Sequence, residues 1–125
     1  MNAADYRRRF AGRNKFKAQR TELDGHSFDS KVEAARYAHL KLLPEVEWID
    51  VHPVLTLPAG IRFTADFAVW TADDVRVEDT KGPRPKSDFW RLKALFDSSH
   101  PLAPLGVVRR VRGEWIEITS KGEWK

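Results

Sequence analysis

No cysteine occurs among the 125 residues. Disulfides, thiolate metal sites and a cysteine nucleophile are therefore excluded, and a reducing compartment, the cytoplasm, is the expected setting. Long apolar runs are missing as well. Nothing approaches the roughly 18 residues of a membrane helix, and the basic N-terminus lacks the apolar segment of a secretory signal, so no membrane partner is expected. The four histidines, His26, His39, His52 and His100, do not stand at a zinc-binding spacing and are read as surface or core residues. Neither a phosphate-binding glycine loop nor a Gly-x-Ser-x-Gly elbow is present. There is no internal repeat, and the length suits one domain with a modest core.

Acidic residues are scarce at one end. The net charge is +4, and residues 1–20 hold Arg7, Arg8, Arg9, Arg13, Lys15, Lys17 and Arg20 against Asp5 alone. Seven bases and one acid make +6 there, so residues 21–125 carry +4 − 6 = −2. The chain reads as a flexible basic arm, 1–20, on a near-neutral domain, 21–125. Such an arm suits a polyanion, because neutralising phosphates releases counterions. Phe10 and Phe16 interrupt it; docking on the body is expected of them, with stacking on a base as the alternative.

The body is organised around Phe63-Thr64-Ala65-Asp66-Phe67 and Val75-Arg76-Val77-Glu78-Asp79-Thr80-Lys81-Gly82. Alternation in the second segment puts Val75, Val77, Asp79 and Lys81 on one strand face, and Arg76, Glu78 and Thr80 on the other. Asp66 precedes Asp79 by 13 positions, a natural length for a hairpin between neighbouring strands. Three charged groups ending two apolar strands are expensive to bury uncompensated. A divalent cation answers them, since carboxylates are hard oxygen ligands; the residues point to a metal-dependent phosphodiesterase site.

Around this pair the elements fall in order. Asp24-Gly25 is a turn between short extended pieces. Ser30-Lys31-Val32-Glu33 has the pattern of a capping box and opens a helix that Pro44 stops. Its apolar face is expected to be Val32, Ala35, Leu42 and Leu43, with Ala38 or Leu40; Glu33, Tyr37 and Leu40 form a second stripe. Glu33 reads either as a cap or as a third metal carboxylate. Trp48 to Leu57 is strand-like, with Pro53 confining it to an edge or bulge. Ile61 to Trp70 alternates as one half-buried strand, with Asp66 opposite the phenylalanines. Gly82-Pro83-Arg84-Pro85-Lys86 is a stiff basic loop. Ser87 or Asp88 caps a second helix, with Phe89, Leu92, Leu95 and Phe96 inward, and two strands follow on either side of Gly113.

Asp24-Gly25, Phe28-Asp29-Ser30-Lys31-Val32-Glu33-Ala34, Ala65-Asp66-Phe67 and Val77-Glu78-Asp79-Thr80-Lys81-Gly82 together resemble the PD-(D/E)XK nuclease superfamily. They are most similar to its small, largely phage- and prophage-borne members related to Holliday-junction resolvases. The likeness spans Thr21 to Phe96. His52-Pro53 stands where relatives often have Gln-Pro, and Phe63-Thr64 where a Tyr often precedes Ala-Asp-Phe; neither departure is expected to touch the metal set.

The resemblance implies an α/β fold, a restriction-endonuclease-like αβββαβ core whose central mixed sheet is flanked by helices. It implies that Glu33, Asp66 and Asp79 hold Mg²⁺, replaceable by Mn²⁺, with the Thr80 backbone carbonyl as a further ligand. Lys81 would position the attacking water and offset phosphate charge. The implied activity is Mg²⁺-dependent endonucleolytic cleavage of DNA, selective for branched structure, by a homodimer in the cytoplasm of a bacterial host. Arg7, Arg8, Arg9, Arg13, Lys15, Lys17, Arg84, Lys86 and Lys93 are the expected DNA contacts. The alternatives are a nuclease of single-strand, flap or restriction-type selectivity, and a non-catalytic nucleic-acid-binding protein.

Overall fold

The computed structural model describes residues 20–82 and 85–118. A hairpin, β1 (Thr21–Leu23) and β2 (His26–Phe28), leads into helix α1 (Lys31–Lys41). Asp24 and Gly25 both take left-handed φ, 53° and 78°, as a two-residue hairpin turn requires. Strands β3 (Trp48–Val51), β4 (Val54–Thr56), β5 (Arg62–Thr64), β6 (Phe67–Trp70) and β7 (Val75–Thr80) follow, then helix α2 (Phe89–Ser99) and strands β8 (Gly106–Val111) and β9 (Glu114–Glu117). The central sheet has five strands in the order β3-β6-β7-β8-β9; β7 and β8 are parallel and the other neighbours antiparallel. Among the described residues the fold is α/β, with a five-stranded mixed central sheet and two helices, compatible with the expected α/β core.

Each face of the sheet has its own core. On one side Phe28, Ala34, Tyr37 and Leu40 pack on Phe67 and Val69. On the other, Phe89 and Phe96 of α2 pack with Leu57, Phe63, Ala65, Leu105 and Val107. The single strand expected over Ile61–Trp70 is therefore two. The chain breaks at Asp66, so Phe63 and Phe67, which alternation alone would set on one face, enter opposite cores. Trp48–Leu57 divides in the same way at His52-Pro53: β3 is an edge of the central sheet, while β4 pairs with β5 in a separate ribbon.

Helix α1 also turns differently from the expected face. Val32 is exposed, and Leu42 is 82% exposed. The buried stripe is Glu33, Arg36, Tyr37 and Leu40, the one with the charges in it. The reason lies outside the helix, where Glu78 and His52 answer those charges.

Candidate metal centre

The sheet register assembles the site. The ladder rows Val51↔Phe67 and Phe67↔Glu78 align three neighbouring strands, and one step beyond them stand His52, Asp66 and Asp79. The His52 N–H donates to the Asp66 carbonyl (2.9 Å). The Asp66 N–H donates to Asp79 Oδ1 (2.8 Å), and the Thr80 N–H donates back to Asp66 Oδ2 (2.7 Å). The Asp79 carboxylate thus holds the Asp66 backbone, and the Asp66 carboxylate holds the backbone at Thr80. The 13-residue spacing read from the sequence is this hairpin.

Glu33 comes from α1. The Ser30 hydroxyl accepts from the Glu33 N–H (3.1 Å), which starts the helix as a serine cap should. The Glu33 carboxylate meets His52 Nε2 at 2.5 Å. Three residues on, Arg36 makes a two-pronged pair with Glu78, Nε to Oε1 at 2.7 Å and Nη2 to Oε2 at 3.0 Å. That pair locks the helix to β7 one residue before Asp79, so the first turn of α1 is carried to the strand ends. Glu33, His52 and Asp66 each offer a ligand atom, all within 4.8 Å of one another. Asp79 adjoins this group through Asp66, and Lys81 Nζ lies 3.5 Å from Asp79 Oδ2. The Lys81 ammonium also sits 4.2 Å from the centre of the Phe89 ring, which holds it at the rim.

Glu78 pairs with Arg36 and, at 3.6 Å, with Arg76; burial governs the other three carboxylates. Desolvation, then the negative charges of Asp79 and Glu33, push the Asp66 carboxyl up to about 8. Burial raises Glu33, with His52 opposing it. Burial likewise raises Asp79, with Lys81 opposing. Such a set holds protons unless a cation replaces them. Its oxygens suit a divalent ion. The Lys81 N–H points to β8, donating to the Val108 carbonyl (2.9 Å), so strand alternation turns the Thr80 N–H and carbonyl the other way, towards Asp66. The Thr80 hydroxyl is buried without a hydrogen-bond partner.

Other expected residues fare unevenly. Lys86 is exposed at the entrance to α2. Lys93 is not an outward phosphate contact: it is 7% exposed, and its ammonium donates to Asp97 (2.6 Å) and to the Leu105 carbonyl (3.1 Å). Its place on the inner stripe of α2 turns it to the sheet. Arg7, Arg8, Arg9, Arg13, Lys15, Lys17 and Arg84, with Phe10 and Phe16, lie outside the described residues. Two site residues escaped the sequence reading, His52 and Arg36. The signal for Arg36 was its position three residues after Glu33; that for His52 was the Pro after it, which ends β3 beside the acids.

A family model described as a protein of unknown function (DUF1064) matches residues 13–122. The chain belongs to the DUF1064 family. The match takes in Glu33, His52, Asp66, Asp79 and Lys81, so the whole acidic pocket of this DUF1064 chain lies within the family's span. No curated protein and no solved structure matches it.

Proposed function

We propose that this DUF1064 chain is a divalent-metal-dependent endonuclease that hydrolyses DNA phosphodiester bonds on a restriction-endonuclease-like, PD-(D/E)XK-type core. The observation that carries the reading is the meeting of Glu33 on α1 with Asp66, of Asp66 with Asp79, and of Asp79 with Lys81, where β6 and β7 adjoin. Glu33, Asp66 and Asp79, with the Thr80 carbonyl, would hold the ion, for which Mg²⁺ with Mn²⁺ as a substitute is expected. When bound, such an ion polarises the scissile phosphate and lowers the pKa of a water.

The chain's own groups supply the rest. The bonds from the Asp66 N–H to Asp79 and from the Thr80 N–H to Asp66 fix two carboxylates before any substrate arrives. Lys81 presents a positive charge beside Asp79, where it can pair with a phosphate oxygen and orient a water. Arg36 neutralises Glu78, which keeps that acid out of the ligand set. Branched DNA as substrate, and a homodimer making two matched cuts, follow from the resemblance to junction resolvases.

Cleavage of four-way junction, flap, single-stranded and linear duplex DNA, with Mg²⁺ and then with chelator, tests the proposal. Metal-dependent cutting of the junction, lost in Asp79→Asn with DNA binding retained, is the expected result. Full-rate cleavage in chelator would overturn the mechanism, and equal turnover on plain duplex would remove the junction selectivity.

A further inference from the structure

His52 stands at the end of β3 with φ 56°, in the left-handed region that residues with a side chain seldom enter. A glycine would turn the chain there with less strain. The position instead carries an imidazole whose Nε2 is aimed at Glu33 Oε1 (2.5 Å) and which shares a 4.8 Å pocket with the Asp66 carboxylate. The backbone of His52 is tied to Asp66 as well, by its N–H to the Asp66 carbonyl (2.9 Å). Both ends of the residue are therefore held at the acids. The ring packs near Phe28, centroids 6.2 Å apart, which limits its swing away. A hydrogen-bond donor to Glu33 alone would not need a nitrogen that can also coordinate.

Nitrogen changes the ion a site prefers. Mg²⁺ takes oxygen ligands and keeps several waters, whereas imidazole suits first-row transition ions. We infer that His52 is a nitrogen ligand, alongside Glu33 and Asp66, and that it tips the centre towards a first-row transition divalent ion over Mg²⁺. This rests on the reading of the pocket as a metal centre, and it moves the preferred ion away from the expected Mg²⁺.

The probe is Mn²⁺ added to the full chain, followed by titration calorimetry and by pulsed electron paramagnetic resonance with and without ¹⁵N-histidine labelling. His52→Asn is the first variant, because Asn tolerates left-handed φ; His52→Gln is the second. The expected result is a histidine-nitrogen coupling in the wild type that both variants lose. Mn²⁺ affinity should fall about tenfold or more in the variants, with Mg²⁺ affinity nearly unchanged. Mn²⁺ binding that Asp66→Asn abolishes, but that shows no histidine coupling and is insensitive to both His52 variants, overturns this inference and leaves the metal centre standing. Absence of any divalent binding, or binding indifferent to Asp66→Asn, overturns both. A coupling that survives in both variants assigns the nitrogen to another histidine and overturns the role of His52.

Discussion

Asp66 lies between Asp79 on β7 and Glu33 on α1, and its chemistry follows from that place. Its carboxyl titrates near 8, against 3.8 in the absence of burial and neighbouring charge. Between those values the folded chain holds a proton that the unfolded chain has released. The unfolding free energy must then fall as pH rises through this window. Glu33 and Asp79 are shifted in the same direction. The metal-free protein should consequently melt at a lower temperature at pH 8 than at pH 5. Asp66→Asn should flatten that slope and stabilise the metal-free chain at pH 8. The gain should be on the order of a few kcal/mol, because each pH unit separating the folded and unfolded titrations is worth roughly 1.4 kcal/mol. Thermal melts in chelator across this range check it; an unchanged slope in the variant would assign the effect elsewhere. Metal affinity should climb over the same window as protons cease to compete.

Helix α1 depends on one buried ion pair. Arg36 and Glu78 are both almost fully enclosed, and the Arg36 guanidinium also lies 5.2 Å over the Trp115 ring. Removing Arg36 leaves the enclosed Glu78 to the more exposed Arg76, 3.6 Å away, so Arg36→Ala should cost about 3 kcal/mol. Because the same helix carries Glu33, divalent affinity should weaken with it. Chemical denaturation and calorimetry on one sample measure the two together; lost stability with unaltered metal affinity would uncouple the helix from the site. Helix α2 offers a contrasting pair of lysines. Lys93 is enclosed by Asp97 and the Leu105 carbonyl, whereas Lys86 is exposed. Lys93→Met should change stability and leave the salt dependence of DNA binding as it was. Lys86→Ala should reduce the slope of log affinity against log salt by about 0.9.

Charge dominates at the scale of the whole molecule. Residues 1–20 hold more positive charge than the entire chain has net, +6 against +4. Deleting residues 1–19 removes six of those seven bases and leaves Arg20, whose Nε donates to the Ser27 hydroxyl (2.7 Å). DNA affinity should then drop for every sequence and structure alike, with a salt slope shallower by up to about 5. Any preference for branched over linear DNA should survive, since a run of basic residues reads phosphate and not shape. Filter binding at several salt concentrations on junction and duplex measures both quantities; selectivity that vanishes with the arm would move recognition out of the body.

What the sequence determined by itself was local. The Asp24-Gly25 turn, the Ser30 cap, the alternation through Val75–Lys81 and the 13 residues between the aspartates each depend on a few neighbouring positions. They were enough for the first turn, the start of α1 and strand β7, and for Asp66 and Asp79 to sit side by side. Which stripe of α1 goes inward was not local. Apolar residues lie all round that helix, and its buried stripe includes Glu33 and Arg36 only because His52, 19 positions on, and Glu78, 42 positions on, are there to meet them. The break at Asp66 that sends Phe63 and Phe67 to opposite cores, the inward turn of Lys93 and the arrival of His52 among the acids are of the same kind. A charge can be buried only against a partner, and the tertiary structure alone decides which distant residue that partner is.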